Sequence, residues 1–248
     1  MYVGMPRFYP ILSAACGVLR DVRVFAFSTF LFLAAAAPAA AQPALTQALK
    51  PCYASDGQAP NQRETVHLQA GGFTPAGHVT LWLDNLVLTD DAGKPVVGQA
   101  DAGGNVVADV PAPFQGFGER PFSVQLREVE NTQNVLTAGA MVTDLSVTLR
   151  PKRARPSREV RFSGRGFTKA APIWGHYVFG GKVRKTIRLA RQPAGVCGVF
   201  HATRRQIPVR DPAVGRWTLQ VDQQRRYSPT PKSNAQRVRI QVAQVVKT

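Results

Sequence analysis

Acidic residues are scarce in this chain, 15 Asp and Glu against 31 Lys and Arg, leaving a formal net charge of +16. A balance of that sign disfavours cationic partners and makes an anionic one the first question. Cysteine is scarcer still, with three in 248 residues, too few for a disulfide-dense scaffold or a cysteine-rich zinc module. The longest apolar run, Val24 to Ala37, falls short of the roughly 20 residues that cross a bilayer as a helix. Nowhere do apolar residues recur at the three-and-four spacing of an amphipathic helix, which argues against a bundle. There is no Gly-x-Ser-x-Gly elbow, no phosphate-cradling loop and no dinucleotide fingerprint, so no cofactor is implied and the chain is read as not an enzyme.

What is present is a pattern that occurs twice. Val66-His67-Leu68-Gln69-Ala70-Gly71-Gly72-Phe73-Thr74 and Val160-Arg161-Phe162-Ser163-Gly164-Arg165-Gly166-Phe167-Thr168 each run an alternating strand into a Gly-Phe-Thr corner. The corner aromatics are 94 positions apart (167 − 73). Both are followed by a second apolar alternation, Val79, Leu81, Leu83 and then Ile173, Gly175, Tyr177. A later marker, Phe122-Ser123-Val124-Gln125-Leu126, is matched by Trp217-Thr218-Leu219-Gln220-Val221. A period of this size is that of two whole domains rather than of a solenoid turn.

The first forty residues read as a targeting segment. Arg20 and Arg23 precede the apolar run and Pro38-Ala39-Ala40-Ala41 follows it, the order of parts in a secretory signal, with cleavage expected after Ala41. The predicted organisation is therefore a signal peptide over 1–41, a tether over 42–62, a first domain over 63–144 and a second over 145–248. Secretion to the cell envelope or beyond follows from it, with no transmembrane segment in the mature chain.

Short strands are predicted at Glu64–Ala70, Val79–Leu83, Val96–Gln99, Asn105–Val110, Pro121–Glu128 and Leu136–Leu149, separated by turn clusters such as Asp90-Asp91-Ala92-Gly93 and Asp101-Ala102-Gly103-Gly104-Asn105. Alternation with period two and frequent Gly and Asp turns indicate an all-β antiparallel sandwich. The run Val66 to Pro75, the strand Val79-Thr80-Leu81-Trp82-Leu83, the turn at 100–105 and Val110-Pro111 resemble the immunoglobulin-like repeats of secreted bacterial surface proteins. That resemblance implies two tandem immunoglobulin-like β-sandwiches in spacer, adhesion or carbohydrate-associated roles. In the second copy Lys169 replaces the proline after the corner, and the Asp-x-Gly hairpin signal is missing.

Charge divides the copies. Residues 42–144 carry five basic and eleven acidic side chains, net −6, whereas 145–248 carry 23 basic and three acidic, net +20. Arginine predominates, and its planar fork suits bidentate contacts to phosphate or carboxylate. Arg184 and Arg188, and Arg237 and Arg239, alternate with apolar residues and are expected on one sheet face, where they would hold an anionic envelope or extracellular polymer. No base-reading motif points to a specific nucleic acid. Trp82 and His176 share a repeat position nine residues past the corner phenylalanine, on the face opposite the apolar alternation. Trp82, Trp174 and Tyr227 are thus possible aromatic contacts for a ligand, and a cover over a sheet edge is the competing use.

Cleavage after Ala41 would leave Cys52 and Cys197 as the two cysteines of the mature chain, expected to pair in an oxidising compartment, with an intermolecular bridge or free thiols as the alternatives. Cys197 and His201 are four apart, with His176 elsewhere, yet aiming 197 and 201 together needs a helix where the sequence reads turn then strand, so no metal site is assigned. Other readings of the whole are a cryptic secreted hydrolase or its accessory domain, and a passive spacer.

Overall fold

Sixteen strands and one short 3-10 turn (Pro60–Gln62) make up the regular structure among the described residues. The structure, a computed structural model, describes residues 42–152, 154–230 and 236–245. The expected signal peptide lies outside the described residues.

The first nine strands are β1 (Ala44–Leu45), β2 (Cys52–Ser55), β3 (Thr65–Gly71), β4 (His78–Leu83), β5 (Leu86–Val87), β6 (Val97–Gln99), β7 (Val106–Pro111), β8 (Glu119–Glu128) and β9 (Val135–Asp144). They form two sheets, β1-β3-β7 and β2-β9-β8-β4-β5, with β6 also on β4. The remaining seven are β10 (Ser146–Arg150), β11 (Glu159–Arg165), β12 (Ile173–Phe179), β13 (Lys182–Ala190), β14 (Phe200–Arg205), β15 (Gly215–Asp222) and β16 (Arg237–Val245). They form β10-β11-β14 and β13-β12-β15-β16. In each half a three-strand sheet and a larger sheet share the chain through crossing connections, which is the strand order of an immunoglobulin-type sandwich.

Alternation decides the inward faces. In β3, Val66, Leu68 and Ala70 are buried while His67 and Gln69 face water; in β11, Val160 and Phe162 are buried and Arg161 is exposed. Two separate cores result. One gathers Tyr53, Leu68, Phe73, Leu81, Phe122 and Leu126; the other gathers Phe162, Phe167, Ile173, Tyr177, Trp217 and Leu219. Each such side chain contributes about 1.5–3 kcal/mol on burial.

The repeat predicted from sequence extends to strand register. Val66 lies opposite Val110 and Val160 opposite Arg204, both members displaced by 94. Leu81 lies opposite Leu126 and Gly175 opposite Val221, displaced by 94 and 95.

Two expectations are corrected, and one gap in the repeat is filled. The stretch 42–62, read as a tether, holds β1 and the fully buried β2, which joins β9 in a parallel pair (Cys52 opposite Met141) inside an otherwise antiparallel fold. The chain crosses from one sheet to the other between β1 and β2, which reverses the usual pairing sense and hides the periodicity over four residues. The single strand expected over 136–149 is two strands, broken at Leu145, where the chain leaves one core and enters the other. The hairpin signal absent from the second copy is replaced: Gly195 and Gly198 take the turn with positive φ, and the N–H of Phe167 donates to the Gly198 carbonyl as that of Phe73 does to Gly104.

The described residues belong to one compact unit. Cys52 and Cys197 form a disulfide across the join, with Cα atoms 5.1 Å apart and 145 positions between them. Beside it, Lys50 pairs with Glu64 and donates to Thr168 Oγ1 at 3.1 Å, and Gln236 donates to the same oxygen at 2.6 Å. Asp144 faces Arg165 at 3.5 Å.

Candidate anion-binding surface

β13 carries Lys182, Arg184, Lys185 and Arg188, all exposed, at the edge of its sheet. A lysine- and arginine-rich edge strand repels further strands, so this one is protected against pairing. β14, the edge of the facing sheet, carries the exposed Arg204 and Arg205 and runs alongside β13. The two edges close one side of the sandwich with six cations. None of the six has a carboxylate within 4.0 Å among the described residues, although Glu159 lies across the ladder from Arg205. Lys185 sits opposite Tyr177 and Arg204 opposite Val160, so both reach out from core-facing positions at the rim. Burial pushes the Tyr177 phenol well above its ordinary value, and the Arg204 charge pulls it partly back.

Of the four arginines expected to form one patch, the structure leaves Arg184 and Arg188 on this edge. Arg237 and Arg239 lie on β16, at the far edge of the same sheet, with β12 and β15 between. Three strand spacings of about 4.8 Å put them about 14 Å away. Arg237 is buried, 3.8 Å from Asp222 Oδ2, and donates to the Thr230 carbonyl at 3.5 Å; Arg239 donates to Gln220 Oε1 at 2.9 Å and to the Pro229 carbonyl. Alternation assigns each of the four to a side of its own strand. It could not show that residues 223–230, leaving β15, fold back over Arg237, Arg239 and His176.

Beneath that cover lies a polar cluster. His176, 0% exposed, has Nδ1 2.9 Å from Thr186 Oγ1, and Nε2 3.0 Å from the Gln224 carbonyl oxygen and 3.3 Å from Asp222 Oδ1. A proton on Nε2 serves both acceptors and leaves Nδ1 to accept from the Thr186 hydroxyl. Burial pushes the Asp222 carboxyl up, but hydrogen bonds from His176, the Gln224 N–H and Gln220 outweigh it and hold the group below the usual carboxylate range. The sequence Thr, His, Asp has the order of nucleophile, base and orienting acid. Its histidine and carboxylate are sealed in the protein, and every polar atom named is spent on an internal partner, so its role is to fasten the cover to the sheet.

The aromatic candidates are likewise occupied. Arg127 stacks on the half-buried Trp82 at 3.9 Å from the ring centre, and Trp82 Nε1 donates to Thr80. Arg225 lies 6.0 Å from the Trp174 ring, and Tyr227 packs on His176 with ring centres 5.8 Å apart. His176, read as an outward-facing residue, is outward of the sheet yet buried by the same cover. Sequence reasoning missed Lys182, Lys185, Arg204 and Arg205, because the approach of β13 to β14 is set by the closing of one sheet on the other.

Compared with protein-family models and with curated proteins, the chain matches none. Among solved structures it is similar to a tetra-tandem repeat from the extending region of a large adhesion protein, at 16% identity and a TM-score of 0.27, over 80% of this chain and 49% of that one. It is also similar to the N-terminal eight Ig domains of Down Syndrome Cell Adhesion Molecule, at 14% identity and a TM-score of 0.29, over 75% of this chain and 26% of that one. The FN1-FN3 domains of chicken CNTN1 align at 10% identity and a TM-score of 0.26, over 81% and 66%. This chain thus spans about half the length of the adhesion repeat.

Proposed function

We propose that this chain is a secreted, non-catalytic module of two immunoglobulin-like domains, divided near Leu145, that holds an anionic envelope or extracellular polymer through its second domain. The observation that carries the reading is the row of six exposed cations on β13 and β14 without carboxylate partners among the described residues. Like charges brought together on neighbouring edges cost free energy in the absence of a counter-charge, and a polyanion supplies it while releasing its own counterions. Arg184, Arg188, Arg204 and Arg205 suit bidentate contacts to phosphate or carboxylate groups. Export is supported by the signal-like segment before Ala41 and by the disulfide, which suits an oxidising compartment.

The test is retention of the purified chain on immobilised lipoteichoic acid, lipopolysaccharide, polygalacturonate and DNA over a salt series. Retention that falls steeply with salt, and that Arg184→Glu with Arg188→Glu weakens at least tenfold, is expected. Equal retention of that variant and the parent chain would overturn the assignment of the surface, and no retention at low salt would leave the passive-spacer reading.

A further inference from the structure

A cleft of about 310 Å³ opens where the two cores meet, lined by Ser55, Asp56, Gln58, Phe114, Asp144 and Ser146 among others. It is remote in character from the basic edge, since no lysine or arginine lines it. Its walls are held by the join: β2 runs straight from Cys52 of the disulfide to Ser55, and the Gln115 N–H donates to Ser55 Oγ at 3.2 Å. Asp144 is tied by the Gly118 N–H at 2.9 Å and faces Arg165 at 3.5 Å. Three other lining groups have no side-chain partner among the described residues: the Asp56 carboxylate, the Gln58 amide and the Ser146 hydroxyl. Asp56 is an exposed residue on the rim of the cleft, and partial desolvation pushes its carboxyl up. Phe114 lines the cleft at 41% exposed, and Phe117, three positions on in the same loop and 80% exposed, carries Arg165 at 5.0 Å from its ring centre. Phe114 and Phe117 thus leave two aromatic rings open on the one loop between β7 and β8.

We propose that this cleft binds a neutral saccharide unit, with Phe114 under the sugar ring and Asp56, Gln58 and Ser146 on its hydroxyls. The chemistry selects that class. An apolar ring face needs an aromatic platform, and vicinal hydroxyls need acceptors and donors side by side, here a carboxylate, an amide and a hydroxyl. Asp144 is met by Arg165, but Asp56 has no cation beside it and none lines the cleft, which disfavours an anion. The volume lies at the small end of ligand sites, which run from about 300 to 1,000 Å³, and such sites favour the seam between two packed units. The inference stands apart from the polyanion reading, because it uses other residues in a part of the chain of opposite charge.

The experiment is saturation-transfer difference NMR on the purified chain with cellotriose, mannotriose and triacetylchitotriose as probes. At least one is expected to receive saturation at its ring protons, with a signal little changed by added salt. Phe114→Ala is expected to weaken that binding at least tenfold and Asp56→Asn at least threefold, whereas Arg184→Glu with Arg188→Glu leaves it unchanged. Gln58→Leu, at an exposed position, repeats the test without touching the aromatic, and circular dichroism checks that each variant is folded. No saturation of any of the three sugars, or binding indifferent to Phe114→Ala and Gln58→Leu in folded protein, overturns the proposal.

Discussion

The N–H of Phe167 donates to the carbonyl oxygen of Gly198 at 3.2 Å, and the N–H of Phe73 donates to that of Gly104 at 3.1 Å, 31 positions on in both halves. Each glycine has positive φ, and a Cβ on either would lie 2.2 Å from the phenylalanine's carbonyl oxygen. The corner and its hairpin are one device used twice, and its second use survives the loss of the Asp101 side chain that caps the first at Gly103 and Asn105.

Gly104→Ala and Gly198→Ala are each expected to cost more than about 2 kcal/mol, from a left-handed backbone joined to a clash that only backbone movement relieves. Gly93→Ala, also at positive φ but with nothing within 4 Å of the added carbon, is expected to cost about 1 kcal/mol. Denaturant unfolding measures all three, and a Gly198 variant no worse than Gly93→Ala would show that the second corner is not packed like the first.

Breaking the Cys52–Cys197 bridge, by Cys52→Ser with Cys197→Ser, is expected to lower stability by up to about 5 kcal/mol on the loop-entropy account, given the 145 positions it spans. Both sulfurs are buried, so a reductant is expected to act slowly without denaturant. Thermal unfolding of the double variant decides it; an unchanged midpoint would mean that the Lys50, Glu64 and Thr168 contacts alone hold the join.

Asp222 is expected to make the second core acid-sensitive. Its folded pKa is depressed, so its contribution is fully present above the ordinary carboxylate range, near pH 4, and is lost as pH falls through the folded value. Trp217, 1% exposed in that core, is the fluorescence reporter. Asp222→Asn is expected to flatten the loss below pH 4 and to cost about 1–3 kcal/mol at neutral pH, where hydrogen bonds to the charge disappear. An unaltered acid limb in the variant would refute the assignment.

Arg237 and Arg184 are expected to separate structure from surface. Arg237→Ala removes the guanidinium beside Asp222 under the 223–230 cover and is expected to destabilise by about 2 kcal/mol or more, with little effect on polymer retention. Arg184→Ala is expected to leave stability within about 0.5 kcal/mol and to weaken retention. The reverse result would move the binding face to β16.

Much of the fold was legible because its evidence is local. Period-two burial at Val66, Leu68, Val160 and Phe162, the Gly-Phe-Thr corners and the spacing to Phe122 and Trp217 are properties of short stretches, and they gave the all-β class and the repeat. β2 was not legible: four buried residues, Cys52 to Ser55, are too few to show a period. The arginine patch was half legible, since alternation assigns a face and says nothing about what else lies on it.

By itself, then, the order of residues determined which side of each strand is apolar, where the chain turns, and that cationic charge is concentrated after residue 145, because each depends only on neighbours along the chain. Only the tertiary structure decided that Arg237 and His176 are covered, that β13 and β14 bring their cations together, and that a cleft lies at the join. Those outcomes depend on how far apart in sequence the packed partners are, and the free energy of closing sheet on sheet is not written in any one segment.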